Sequence, residues 1–241
     1  MIHSEARGPV AVVTIDRPDR RNALDVAHCE DLRQAVVGAV GGGARVVVVA
    51  GADGHFCAGA DLSTVEDDGF TTALRSLLDA LVAVPVPVIA AVDGAALGAG
   101  TQVAVACDLR VAAPTARFGI PAAKLGLMVD HWTVQRLALL AGHGPARQML
   151  LAADELDGEA AFRLGLVQRM GSLDDAVGWG ERIASLAPLT IAGHKLALNR
   201  LEPALDDADV AAARVRAWSS EDLAEGMAAF RERRAPMFEG R

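Results

Sequence analysis

Two apolar, β-branched runs, Val46 to Ala50 and Val88 to Val92, each run into a turn of small residues that opens a helical pattern. The first turn reads Phe56-Cys57-Ala58-Gly59-Ala60-Asp61-Leu62 and the second Asp93-Gly94-Ala95-Ala96-Leu97-Gly98-Ala99-Gly100-Thr101-Gln102. Runs without polar alternation read as strands buried on both faces, the pattern of a parallel sheet covered by helices. Strand, helix and strand in succession imply right-handed crossovers and a layered α/β core. The turns also have a chemical meaning. A small-residue turn opening a helix leaves backbone N–H groups free to face an acceptor. Two such turns side by side can make an oxyanion hole for a carbonyl oxygen that gains negative charge.

The remaining pattern fits the same class. Val10 to Ile15 and Leu109 to Ala112 read as further strands. Asp25 to Val40, with Asp25 as N-cap, Phe70 to Ala83 and the short Gly98 to Ala106 read as helices. From about Thr133 the chain becomes mainly helical, over Gly142–Ala152, Asp157–Leu164, Leu173–Leu186, Leu189–Arg200, Asp206–Ala217 and Ser220–Arg231. Pro188 and Pro203 punctuate this part, and Ser219 with Asp222 resembles a capping box.

Composition excludes several classes. With 52% hydrophobic residues in 241, a sizeable core forms without metals or disulfides. Tyr is absent and aromatics are 4%, so that core is mostly Ala, Val and Leu. A net charge of −8 argues against sequence-independent nucleic-acid binding, although a local Arg cluster can still hold an anion. Cys29, Cys57 and Cys107 are odd in number and lack metal-type spacing, so a reducing, cytoplasmic setting without disulfide or metal centre is expected. No signal peptide is evident at Met1 to Glu5. The apolar stretch Ala80 to Ala99 is broken by Pro85, Pro87 and Asp93, so no membrane span is expected.

The chain resembles the crotonase superfamily, also called the enoyl-CoA hydratase/isomerase family. The resemblance rests on Arg17-Pro18-Asp19-Arg20-Arg21-Asn22-Ala23-Leu24-Asp25, Phe56 to Leu62, Gly94 to Gln102, Cys107-Asp108-Leu109-Arg110 and Gln135-Arg136-Leu137, in order and spacing across essentially the whole chain. It implies an α/β, ClpP-like spiral of ββα units over about residues 1–190. A helical region over 191–241 would pack between subunits of a homotrimer or hexamer. It also implies an oxyanion hole from the backbone N–H groups of Ala58 and Ala99. Coenzyme A, part of the ligand rather than a separate cofactor, would lie beside Arg20, Arg21, Ala23 and Leu24, with Ala60, Asp61 and Leu62 near the adenine. The tail Arg231 to Phe238 resembles the family segment that lies near coenzyme A.

The departures matter as much. Family hydratases carry one catalytic Glu where this chain has Gln102 and another where Ala122 follows Pro121. Hydration needs a base for water and an acid for the α-carbon, and each role contributes roughly 10²–10⁴-fold. Asp130 is the surviving carboxylate, and its spacing matches the catalytic Asp of certain isomerases and a dehalogenase of the family. It equally suits an N-cap before Trp132-Thr133-Val134. Cys57 reads as a small buried hydrophobe, since no activating base is evident. The shared Gln and missing glutamates resemble the non-catalytic branch that binds long-chain acyl-CoA for mycolic-acid synthesis, with a fatty-acid synthase as possible partner. Three readings therefore stand: an acyl-CoA holder, an enzyme using Asp130, and a structural subunit without ligand.

Overall fold

The computed structural model describes residues 1–63, 68–201 and 208–239. Its main sheet has β1 (Ile2–Arg7) antiparallel to β2 (Val10–Ile15), followed in parallel by β3 (Val46–Gly51), β4 (Val88–Val92), β6 (Leu109–Ala112) and β9 (Arg169–Met170). Every residue of β4 and all but the last of β3 are buried, because helices cover both faces. On one face, Leu32 and Val36 of α1 (Val26–Gly41) and Leu77 and Leu81 of α2 (Asp68–Ala83) join the cluster of Val13, Val47, Val49 and Ala90. On the other, Ala176, Val177 and Ala184 of α7 (Leu173–Ala184) pack with Val10, Val46, Val48, Ile89 and Val111. The Asp25 cap forms as expected, its carboxylate accepting from the His28 N–H at 2.9 Å.

A second, shorter ladder makes the fold a spiral. β5 (Ala95–Leu97) pairs with β7 (Arg117–Gly119), which pairs with β8 (Glu155–Asp157). Single bridges between Leu24 and Ala60 and between Cys57 and Ala96 extend the same stacking. Each ββα unit thus gives one strand to the main sheet and a short extended piece to this ladder. The ladder places the two small-residue turns side by side, ahead of α3 (Ala99–Ala106).

Several elements differ from the sequence expectations. β1 is an edge strand whose four central residues are all exposed, so it carries no alternation to read. β5, β7, β8 and β9 have two or three residues each, too short for a periodic signal. By contrast, the helix start expected after Asp130 is present: α4 spans His131–Ala141 and leads into α5 (His143–Leu151) and α6 (Gly158–Arg163). The expected capping box at Ser219 and Asp222 is shifted. Ser220 accepts from the Leu223 N–H at 3.1 Å and caps α10 (Glu221–Glu232), while the Ser219 hydroxyl bonds to the Val215 carbonyl. The helix expected from Asp206 is seen as α9 (Ala208–Trp218); Asp206 itself and Pro203 lie outside the described residues.

The C-terminal helices are tied to their own core. The Trp218 indole donates to the Met128 carbonyl at 2.9 Å, and Met227 and Ala229 of α10 are buried. α10 packs on the 3₁₀ turn Pro121–Leu125, so closely that a Cβ on Gly226 would lie 2.5 Å from the Leu125 carbonyl oxygen. Within one subunit α10 thus packs on its own core, while Leu196, Leu198, Val215 and Phe230 of the same region stay exposed. α8 (Pro188–Asn199) is pinned by Lys195, which is 6% exposed and donates to the carbonyls of Leu81 and Val86 and, at 2.8 Å, to Asp108. Removing one partner of a buried pair leaves the other charge uncompensated. Lys195→Met is therefore expected to cost about 3 kcal/mol, while pairing it with Asp108→Asn costs less than the sum, measured by urea unfolding. No helix among the described residues is long and apolar enough to cross a membrane.

Candidate functional site

The two turns are laced together by backbone bonds. The Cys57 N–H donates to the Ala95 carbonyl at 2.8 Å, and the Leu97 N–H donates back to Cys57 at 3.0 Å. Glycine is required where they touch. Gly59 has φ of +114°, and a Cβ on it would meet the Leu97 carbonyl oxygen at 3.0 Å. A Cβ on Gly100 would sit 2.1 Å from the Cys57 oxygen. The start of α3 is fixed by Thr101, whose hydroxyl lies 2.6 Å from the Ala96 oxygen and accepts from the Gly119 N–H at 3.1 Å.

Beside this seam lies a mostly apolar cavity of about 700 Å³. Its walls come from both turns, from Leu74, Arg75 and Leu78 of α2, from residues 120–130, and from Trp218, Met227 and Phe230 of the C-terminal helices. The amides on the wall differ in what they do. The Ala58 N–H donates to the Arg21 carbonyl at 3.0 Å, so the expected donor of the first turn is already engaged. Leu24 bonds to Gly59 and Asp61, which leaves the N–H of Ala60, between them, directed away from Leu24. Among the described residues it donates to nothing. Ala99 is the first residue of α3, where the N–H has no partner within the helix. The unengaged amides of the seam are therefore those of Ala60 and Ala99, and the expectation for Ala58 is corrected.

The side chains fall into place as follows. Gln102 and Ala122 line the cavity, where neither presents a carboxylate. The Gln102 carbonyl oxygen accepts from the buried Thr133 hydroxyl at 2.9 Å. Asp130 also lines the cavity, but both its oxygens are engaged: one caps α4 by accepting from the Thr133 N–H at 3.0 Å, the other accepts from Arg75 at 3.3 Å. Arg75 also pairs with Asp79 and stacks 4.5 Å from the Trp132 ring centroid. Cys57 is fully buried and burial pushes its thiol up to about 12, which makes it inert as a nucleophile.

Arg20, Ala23, Ala60, Asp61 and Leu62 reach the cavity wall. Arg21 and Leu24 do not. Arg21, at φ of +48°, is exposed and contributes its carbonyl to Ala58, while the Leu24 side chain is wholly in the core. Sequence reasoning missed Thr133, Arg75, Lys124, Arg214 and Trp218. Only the neighbourhood of Asp130 signalled the first, and nothing local signalled the C-terminal residues.

Asp61 ties the first turn to the segment after β2. It accepts from Ser63 and pairs with Arg17 at 2.8 Å, and Arg17 in turn meets Asp25 at 3.5 Å. Burial by itself would raise the Asp61 carboxyl, but the bonds from Ser63 and Arg17 outweigh it and hold it below the usual range. A depressed folded value contributes stability that is present above about pH 4 and lost as pH falls through it. Arg17→Met is expected to shallow the fall in melting temperature below that pH, read by melts at stepped pH.

Comparisons with known proteins agree with this architecture. The Enoyl-CoA hydratase/isomerase family model matches residues 5–241. The Mycobacterium tuberculosis protein named "Probable enoyl-CoA hydratase echA6" is 45% identical over 238 residues, covering 95% of this chain and 96% of its own. A solved enoyl-CoA hydratase from Mycobacterium avium subsp. paratuberculosis aligns with TM-score 0.86 and 31% identity over 99% of this chain and 98% of its own. A methylmalonyl-CoA decarboxylase aligns with TM-score 0.92 and 25% identity over 100% of this chain and 98% of its own.

Proposed function

This chain belongs to the enoyl-CoA hydratase/isomerase family, and on that premise we propose that it holds an acyl-CoA thioester without efficiently adding water to it. The observation that carries this reading is the pairing of two free amides, at Ala60 and Ala99, with a cavity that has lost both hydratase carboxylates. The amides receive the thioester carbonyl, and the apolar walls take the acyl chain. Arg20 and Lys124, together with Arg214 and Arg231 of the C-terminal helices, line the same cavity and suit the phosphates of coenzyme A. Ala23, Asp61 and Leu62 form the nucleotide side. No resident cofactor or metal is needed for such a role.

An amide at 102 does not exchange a proton at neutral pH, and the methyl of Ala122 does neither task. Asp130 is a helix cap and an ion-pair partner of Arg75, so both its oxygens already have partners. Its place on the cavity wall keeps the reading of an active enzyme as a second proposal. In cells the bound thioester serves fatty-acid metabolism, including mycolic-acid synthesis, with delivery to a synthase partner. Exposed Leu139, Leu151, Phe162 and Leu164 offer apolar surface for a homotrimer or hexamer.

Calorimetry with acyl-CoAs from short to long, with mass analysis of the recovered thioester, separates these readings. Binding with unchanged ligand recovered supports the holder. Turnover that Asp130→Asn abolishes, while binding persists, supports the enzyme. No heat and no thermal shift across the series supports a structural subunit.

A further inference from the structure

Gln102 is 8% exposed and lines the cavity, yet its amide nitrogen donates to no group among the described residues. Thr133 decides which end of the amide faces inward. Its hydroxyl is fully buried, and the Gln102 carbonyl oxygen at 2.9 Å is the acceptor for its proton. Turning the amide over would let the Thr133 hydroxyl accept from the NH₂ group but would leave the hydroxyl's own proton without an acceptor among the described residues. The NH₂ group is therefore the end presented to a ligand, which makes position 102 chiefly a hydrogen-bond donor there. On α3, Gln102 follows Ala99 by three residues, so the two lie on one face about 5–6 Å apart at Cβ. A thioester whose carbonyl rested on Ala60 and Ala99 would have the first carbons of its acyl chain within reach of the Gln102 amide, on the same cavity wall.

We propose that the cavity recognises acyl thioesters bearing an oxo group at C3, through the Gln102 NH₂ group that Thr133 holds in one orientation. This rests on the acyl-CoA reading above. An oxo oxygen has two lone pairs and no proton, which matches a donor pair. A saturated chain leaves the buried NH₂ unpaired. Gln102 is the contacting residue and Thr133 a positioning residue.

The test is calorimetry of the full chain with dodecanoyl-CoA and 3-oxododecanoyl-CoA, taking the ratio of their affinities. Wild type is expected to favour the 3-oxo ligand by about fivefold or more, the worth of one hydrogen bond. Thr133→Ser keeps the hydroxyl and keeps the ratio. Thr133→Val and Gln102→Met each lower the ratio by at least about threefold. A smaller wild-type preference, or a ratio that survives in the folded variant of either pair, overturns the proposal while dodecanoyl-CoA binding leaves the acyl-CoA reading standing. Binding of neither ligand overturns both.

Discussion

The double variant Gln102→Glu/Ala122→Glu is expected to hydrate crotonyl-CoA at least about 10³-fold faster than the wild type, since two roles of roughly 10²–10⁴-fold each are restored. The rest of the cavity suits that chemistry on the proposed reading. Ala60 and Ala99 offer their amides, α3 and the turn at Pro121–Leu125 face the same cavity, and the Thr133 hydroxyl can donate to a carboxylate at 102 as it does to the amide. Each single variant should recover much less, because a base without an acid leaves the α-carbon unprotonated. The reading is loss of the enoyl chromophore with product identified by mass. A double variant that folds and binds crotonyl-CoA but gains no rate would mean that the cavity no longer positions water, and the absence of hydration would then owe nothing to the missing carboxylates. A wild type already as fast as family hydratases would remove the premise.

What the sequence made legible follows from which interactions are local. The runs Val46–Ala50 and Val88–Val92 are buried on both faces, so their lack of alternation announced a covered parallel sheet. The Asp25 and Asp130 caps are decided within four residues. The two turns were also visible, but which amide stays free was not. Ala58 loses its N–H to Arg21, a residue brought close only when Leu24 bridges Ala60. The same non-locality hid Thr133 behind the more conspicuous Asp130. It also hid the C-terminal wall of the cavity, because the amphipathic pattern of α10 says that one face is buried without saying on what. A buried cation is the least legible feature. Lys195 and Arg110 look in the sequence like any surface charge.

Arg110 carries the second large effect, and it links the core to the site. It is 1% exposed, lies on β6, and makes no ion pair among the described residues. Burial lowers its guanidinium to about 10, so it is still charged at neutral pH and must be held by carbonyls. It donates to Leu166 at 2.5 Å, to Cys107 at 2.8 Å, to Ala104 at 3.0 Å and to Asp108 at 3.3 Å, with Gln168 also at 3.3 Å. Ala104 and Cys107 close the C-terminal end of α3, where Arg136 also donates to the Val105 carbonyl. Two cations thus face the negative end of the helix dipole whose positive end presents Ala99 to the cavity. Arg110→Met strips donors from several buried acceptors at about 1–3 kcal/mol each, of which relaxation recovers a part. The expected loss is about 4 kcal/mol, or roughly 10 °C in melting temperature for a chain of this size. Arg110→Lys keeps the charge but not the planar fork, so it should regain less than half of that. Where the Met variant still folds, acyl-CoA affinity should fall as well, because the Ala99 amide is only as well placed as the helix behind it. A variant that melts within about 2 °C of wild type would show that water satisfies those carbonyls and that the guanidinium does not latch α3 to the sheet.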